Sequence, residues 1–216
     1  MKNRVNRHAF TRLALAALLG LAALTTSTPV PPSLAHGGHT GPDVRADKQS
    51  SDCKGKCLEG LDDVRAGTAS YHELENALAD GFFSTVECVA VPNLGGMGVH
   101  YINPARMMNT QIVAGEPEVL LYEPQADGSF RLIGVEYYAP VLVMGPNGPE
   151  PYFGQTPPAA PLNAAPVLFG RTFDGPMAGH GPGEPWHYSL HVWAWRHNPA
   201  GMFTPFNPRI SCAAQQ

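Results

Sequence analysis

The residues best suited to chemistry cluster in Trp186-His187-Tyr188-Ser189-Leu190-His191-Val192-Trp193-Ala194-Trp195, where two histidines and all three tryptophans of the chain fall within ten positions. Neutral imidazole is a ready ligand for transition metals, and indole offers a large rigid surface for stacking. What the two histidines can do depends on the element that carries them. On a helix, residues four apart lie within about 6 Å and form a two-ligand motif, whereas on a strand they stand roughly 13 Å apart at Cα and cannot comfortably share one ion. A helix has Pro185 for its first position and Asn198-Pro199 as a stop. The alternation of Tyr188, Leu190, Val192 and Ala194, with its aromatic and β-branched content, favours a strand. That strand places His187, Ser189, His191, Trp193 and Trp195 on one face and the apolar alternates on the other, against the core.

A metal site on a strand has to be completed from other strands. His100, within Gly98-Val99-His100-Tyr101, and Glu136, within Gly134-Val135-Glu136-Tyr137, are ionisable groups inside apolar runs, where a charge needs a partner. Histidine and carboxylate together suit a divalent transition metal such as zinc, iron, manganese or copper, and three protein ligands leave room for water or substrate. The expected set is His100, Glu136 and His191, with His187 as a fourth ligand or supporting the others. A plainer reading competes with it: a non-catalytic exported binding or structural module, in which His100 and Glu136 bond each other or a tyrosine in a satisfied buried network and the tryptophans pack. The metal reading requires His100, Glu136 and His191 to converge on a concave pocket; the plainer one leaves the histidines scattered. From sequence alone the plainer class is preferred, with an unknown small molecule or protein as partner.

Other chemistry finds less support. The chain lacks a Gly-x-Ser-x-Gly elbow, a phosphate-cradling glycine loop and a His-Glu-x-x-His motif. Glu118, Glu123 and Glu136 lie near one another across an expected hairpin, where carboxylates on a solvated face are the usual explanation. His180 stands among the glycines of Ala178-Gly179-His180-Gly181-Pro182-Gly183-Glu184, a place for a lid residue or for a solvated loop histidine. His36 and His39 would offer copper a chelating amino terminus if the chain were cut after Ala35.

The N-terminus sets the compartment. Lys2, Arg4, Arg7 and Arg12 precede an apolar run from Leu13 to Leu24, and Ser33-Leu34-Ala35 offers the small residues a signal peptidase reads. Residues 1–35 therefore read as an export signal, 36–57 as a flexible polar tail, and 58–216 as a single globular domain. The apolar run is shorter than the roughly 20 residues a bilayer-spanning helix needs, so no transmembrane segment is expected in the mature chain. Removing the signal leaves ten basic against eighteen acidic residues. That acidic balance argues against a nucleic-acid partner. In an exported, secreted or periplasmic protein the four cysteines read as disulfides. Three pairings are open; the preferred one joins Cys88 to Cys212, tying down the C-terminus, and leaves Cys53 with Cys57.

Two helices are expected first. Leu58, Leu61 and Val64 recur at three-residue intervals until Gly67, and a second helix has Ser70 as N-cap, Glu73 as its capping-box partner and Gly81 as C-terminal cap. From Phe82 the pattern changes to short β-rich runs: 84–91, 97–102, 118–122, 130–138, 141–144, 167–169 and 187–195. Asp127-Gly128 marks a hairpin turn. Seven prolines between Gly145 and Pro166 point to an extended surface loop, and 174–185 to a second one. The expected class is mainly β (α+β), an antiparallel sandwich or small barrel with two short N-terminal helices.

The runs Gly95-Gly96-Met97-Gly98-Val99-His100-Tyr101, Pro117-Glu118-Val119-Leu120-Leu121-Tyr122-Glu123-Pro124, Gly134-Val135-Glu136-Tyr137 and His187-Tyr188-Ser189-Leu190-His191-Val192-Trp193, continuing through Asn198-Pro199-Ala200-Gly201-Met202-Phe203, resemble a family of exported bacterial proteins of unknown function. The resemblance spans about Tyr71 to Cys212. It implies one exported domain and carries no catalytic residue with it.

Overall fold

Short runs from Phe83 onward, several of them alternating apolar with polar or small residues, build one antiparallel sheet. The computed structural model describes residues 53–84, 87–181 and 183–215; the export signal expected over 1–35 and the polar tail expected up to residue 52, with His36 and His39, lie outside them. The strands are β1 (Phe83–Ser84), β2 (Val89–Val91), β3 (Gly95–Ile102), β4 (Val119–Pro124), β5 (Phe130–Pro140), β6 (Leu142–Gly145), β7 (Gly148–Pro151), β8 (Val167–Leu168), β9 (Arg171–Thr172), β10 (Asp174–Met177) and β11 (His187–Val192). Seven of them form the main sheet in the order β1-β3-β4-β5-β11-β10, with β2 also on β3, while β6-β7 and β8-β9 are separate hairpins. The β-rich class with short N-terminal helices is thus what the chain adopts, and the sheet is a path with two ends, β1 and β10.

Register decides which side chains share a face. The pairs His100↔Leu121, Leu121↔Gly134, Val119↔Glu136 and Glu136↔His191 put His100, Ile102, Val119, Leu121, Glu136, Tyr138, His187, Ser189 and His191 on one side. Their alternates Val99, Tyr101, Leu120, Tyr122, Val135, Tyr137, Tyr188, Leu190 and Val192 form the other side and the larger core. That core is closed by α1 (Lys56–Thr68) and α2 (Leu74–Ala79), through Leu61, Val64 and Ala77. Hydrogen bonds fix the docking: Tyr122 Oη donates to the Tyr71 carbonyl (2.6 Å), and Trp195 Nε1 donates to Thr68 Oγ1 (3.0 Å). The histidine face carries its own smaller core of Ile102, Met107, Val119, Leu121, Ile133, Tyr138, Trp193 and Ile210. Met107 comes from α3 (Pro104–Met107), whose N-cap Asn103 accepts from the Arg106 N–H.

Several local expectations change. The first helix passes through Gly67, where packing against Gly115 leaves no room for a Cβ, and ends at Thr68. The second is interrupted: Ala69–His72 is a 3₁₀ turn, Glu73 is extended, and the α-helix begins only at Leu74, so Ser70 does not cap it. Its C-terminus does close at Gly81, with Gly81 N–H donating to the Leu78 carbonyl and Phe82 N–H to that of Ala77, the two bonds of a Schellman motif. Cys53 and Cys57, placed in the expected tail, are buried, and helix α1 starts at Lys56. The proline-rich stretch holds the β6-β7 hairpin, and 174–177 forms edge strand β10, a position where Pro176 is tolerated. Strand β11 stops at Val192, because the Ala194 N–H turns back to the Val192 carbonyl. Trp193 consequently stays with the histidine-side core, while Trp195 leaves that face and packs toward the helices.

Both preferred disulfides form, Cys53–Cys57 and Cys88–Cys212, and the described residues contain no free cysteine. The second closes a loop with a sequence separation of 124 residues. Cross-links of long loops stabilise by restricting the unfolded chain, typically by about 2–4 kcal/mol. A Cys88→Ser/Cys212→Ser variant is therefore expected to lose about that much in urea denaturation, while Cys53→Ser/Cys57→Ser, with its short loop, loses clearly less. Equal losses would contradict this account.

Candidate metal centre

His100 and His191 stand on β3 and β11, with β4 and β5 between them. Three strand spacings amount to roughly 14 Å in a flat sheet. The two rings nevertheless lie 6.2 Å apart between centroids, edge to face, so the sheet is concave on this side. The sequence provides for that curvature. Gly98, two residues before His100, has φ +91°, and a Cβ there would lie 2.5 Å from the Tyr122 carbonyl oxygen. The register between β4 and β5 shifts between Leu121 and Tyr122, a bulge that adds local twist. Gly134, two residues before Glu136, lets the Val192 carbonyl approach to where a Cβ would stand 2.7 Å away.

Glu136 lies between the two histidines. Its Oε2 is 3.5 Å from His100 Nε2 and 3.8 Å from His191 Nε2, and one ligand atom from each of the three residues falls within 4.8 Å of the others. All three side chains are buried. A tetrahedral zinc about 2.1 Å from each ligand holds its ligand atoms about 3.4 Å apart, and an octahedral ion with similar bonds about 3.0 Å. The two measured separations lie nearer the tetrahedral spacing and need only a few tenths of an ångström of closure to reach it.

Burial also sets the protonation state that metal binding requires. It pushes His100 down to about 4, against the partial opposition of Glu136, and pushes His191 down to about 4 as well. The rings are neutral at neutral pH, with lone pairs free for coordination. The polar atoms are left incomplete: His100 Nδ1, Glu136 Oε1 and His191 Nε2 are buried with no hydrogen-bond partner among the described residues. His100 and Glu136 do approach each other, through Nε2 and Oε2, while their other polar atoms have no partner among the described residues. Each such atom costs about 1–3 kcal/mol while it has no partner, and of the three His191 Nε2 is the one that faces the cluster.

Searches of protein-family models, curated proteins and solved structures match nothing. Function has to be argued from the residues alone.

His187 belongs to the same face but not to the three-residue cluster. Its ring stacks on Tyr138 at 4.1 Å, its Nδ1 lies 3.3 Å from the Pro185 carbonyl oxygen, and burial lowers its pKa to about 4. It lines a cavity of ≈ 330 Å³ with His100 and Glu136, walled by Val89, Met97, Ile102, Met107 and Val119 and reaching His180 and Glu184 of the glycine-rich loop. His180 is exposed, its ring centroid 5.1 Å from that of His187, and its electrostatic influence works against protonation of His100, His187 and His191 alike. The loop is pinned locally by His180 N–H donating to Glu184 Oε2 (2.9 Å). Of the two options for this loop, a lid residue or a solvated histidine, the exposure of His180 agrees with the second, and the loop also supplies a histidine and a carboxylate to the cavity wall.

Two site features escaped the sequence reading. Glu184 gave only the signal of lying four residues beyond His180, and Met97 and Met107 gave none. The carboxylates read as a solvated face are all buried: Glu123 is bound by Arg131 and accepts the Ser211 N–H, and Glu118 accepts the Tyr138 N–H at 3.0 Å. Burial raises Glu118 to about 8, so it is mostly protonated at neutral pH. Trp193 is buried, Trp186 and Trp195 are half-buried, and all three donate their indole N–H within the fold.

Proposed function

We propose that this chain is a metal-binding protein that holds one divalent transition ion through His100, His191 and Glu136. One observation supports the reading: two neutral imidazoles and a carboxyl group converge from three strands, all buried, with polar atoms that have no hydrogen-bond partner among the described residues. Zinc suits the separations and the nitrogen and oxygen donors best. A divalent ion held by three protein groups keeps coordination positions for water or another ligand. His187 stands behind the ion in this reading, its ring packed on Tyr138 and facing the adjoining cavity.

The proposal includes an exported setting. Two disulfides suit an oxidising compartment, and the basic N-terminal segment followed by an apolar run reads as the route there. No helix among the described residues is long and apolar enough to cross a membrane. The partner is a small molecule reaching the ion through the cavity.

The test is the metal content of protein purified from its exported fraction without a histidine tag, beside His100→Ala/His191→Ala. The expected result is close to one equivalent in the parent and less than about a tenth of that in a variant whose circular dichroism shows it folded. No metal in the parent, and no uptake on adding zinc, copper, iron or manganese, would return the domain to the class of non-catalytic modules.

A further inference from the structure

We infer that the cavity beside the three ligands binds a small molecule with an apolar body, an oxygen that coordinates the ion and, next to it, an O–H or N–H group that donates to His187 Nε2. The inference rests on the metal reading and adds the chemistry of what approaches the ion. Three observations define the ligand. The first is volume. An apolar cavity of roughly 150 Å³ takes a benzene ring, and ligand sites for larger molecules begin at roughly 300 Å³. At ≈ 330 Å³ this cavity takes one ring or a short branched chain together with a head group.

The second is the wall. Val89, Met97, Ile102, Met107 and Val119 come from β2, β3, α3 and β4 and supply the apolar part of the wall, with His100 and Glu136 in the same lining. A ligand held by the ion would lay its body against that part, and the two methionines can adjust to its shape.

The third is a polar address in the same lining. His187 is fully buried, and its Nδ1 faces the Pro185 carbonyl, which can only accept; Nδ1 therefore carries the proton. The neutral ring leaves Nε2 as a bare acceptor, and Nε2 is buried without a partner among the described residues. A ligand N–H or O–H supplies what it lacks. Glu184 and the exposed His180 make the cavity's remaining polar wall and place its approach at the glycine-rich loop.

Zinc-loaded protein of verified metal content, titrated in a calorimeter with acetohydroxamate and with benzohydroxamate, tests this. The two probes share one chelating head and one N–H and differ as methyl from phenyl. Burying the phenyl group should make benzohydroxamate bind about 30-fold more tightly. Met97→Trp, at a half-buried wall position, should remove that advantage and leave acetohydroxamate binding in place. His187→Phe keeps a ring to stack on Tyr138 but loses the acceptor, and should weaken benzohydroxamate about tenfold. Equal affinity of the parent for the two probes would overturn the apolar-body assignment, and unchanged affinity in His187→Phe would overturn the donor assignment; neither result touches the metal reading. A parent that takes up no zinc would overturn both.

Discussion

Glu136→Gln is expected to weaken metal binding at least about a hundredfold and leave the fold intact. Loss of groups that merely support metal ligands commonly costs 10–100-fold, and Glu136 supplies the single anionic ligand of the set, so its removal belongs at or beyond the upper end. The fold should survive because Gln matches Glu in shape and because the buried Oε1 of Glu136 has no hydrogen-bond partner among the described residues. The metal-free variant should be as stable as the metal-free parent or more so, by about 1 kcal/mol, since a neutral amide is less costly to bury than a carboxylate. The added metal should raise the parent's Tm and not the variant's, as expected for an ion that binds only the folded state. Retained affinity, or collapse of the variant without metal, would each show that Glu136 serves the core rather than an ion.

The second large effect is acid instability of the metal-free protein. His100, His187 and His191 each sit near 4 in the folded state against a usual 6.5, with burial the main cause. Between those values the unfolded chain takes up a proton at each histidine and the folded chain does not, so falling pH favours unfolding. Each contributes about 3 kcal/mol of lost stability by pH 4. Glu118 acts in the opposite direction. Its folded value near 8 against 4.5 means its contribution is fully present below pH 4.5 and is lost as pH rises toward 8. The histidines outnumber it, and the net loss from pH 7 to pH 4 should be on the order of 5 kcal/mol. Urea midpoints of chelator-treated protein across that range would show it. A flat or rising midpoint on acidification would mean the histidines are protonated or solvated in the folded state.

Much of this architecture was legible because the determining patterns are local. Strict alternation in His187–Val192 revealed the strand and the face its histidines share, and Asp127-Gly128 revealed the turn, where Gly128 N–H does donate to the Gln125 carbonyl. Apolar flanks identified His100 and Glu136 as ionisable groups needing partners. Convergence was not legible. Nothing in the spacing says that β3 and β11, two strands removed, bend until their imidazoles meet; that depends on Gly98, on Gly134 and on a bulge whose effect appears only once the register is known. The helices show the complementary limit. Ser70 and Glu73 have the composition of a capping box, but the Tyr71 side chain is drawn into the core and the Trp195 indole anchors Thr68, so tertiary packing replaced the cap with a 3₁₀ turn. Glu118 and Glu123 read as surface because carboxylates usually are, and each instead found a buried place that sequence spacing could not reveal.

The most direct test is a crystal structure of the zinc-soaked protein with anomalous data collected on both sides of the zinc edge. The account predicts one strong peak among His100, His191 and Glu136, about 2.0–2.2 Å from a nitrogen of each histidine and a carboxylate oxygen. His187 should lie outside bonding distance of the peak. Zinc found only at exposed histidines such as His180, with the three buried side chains bridged by water, would contradict it.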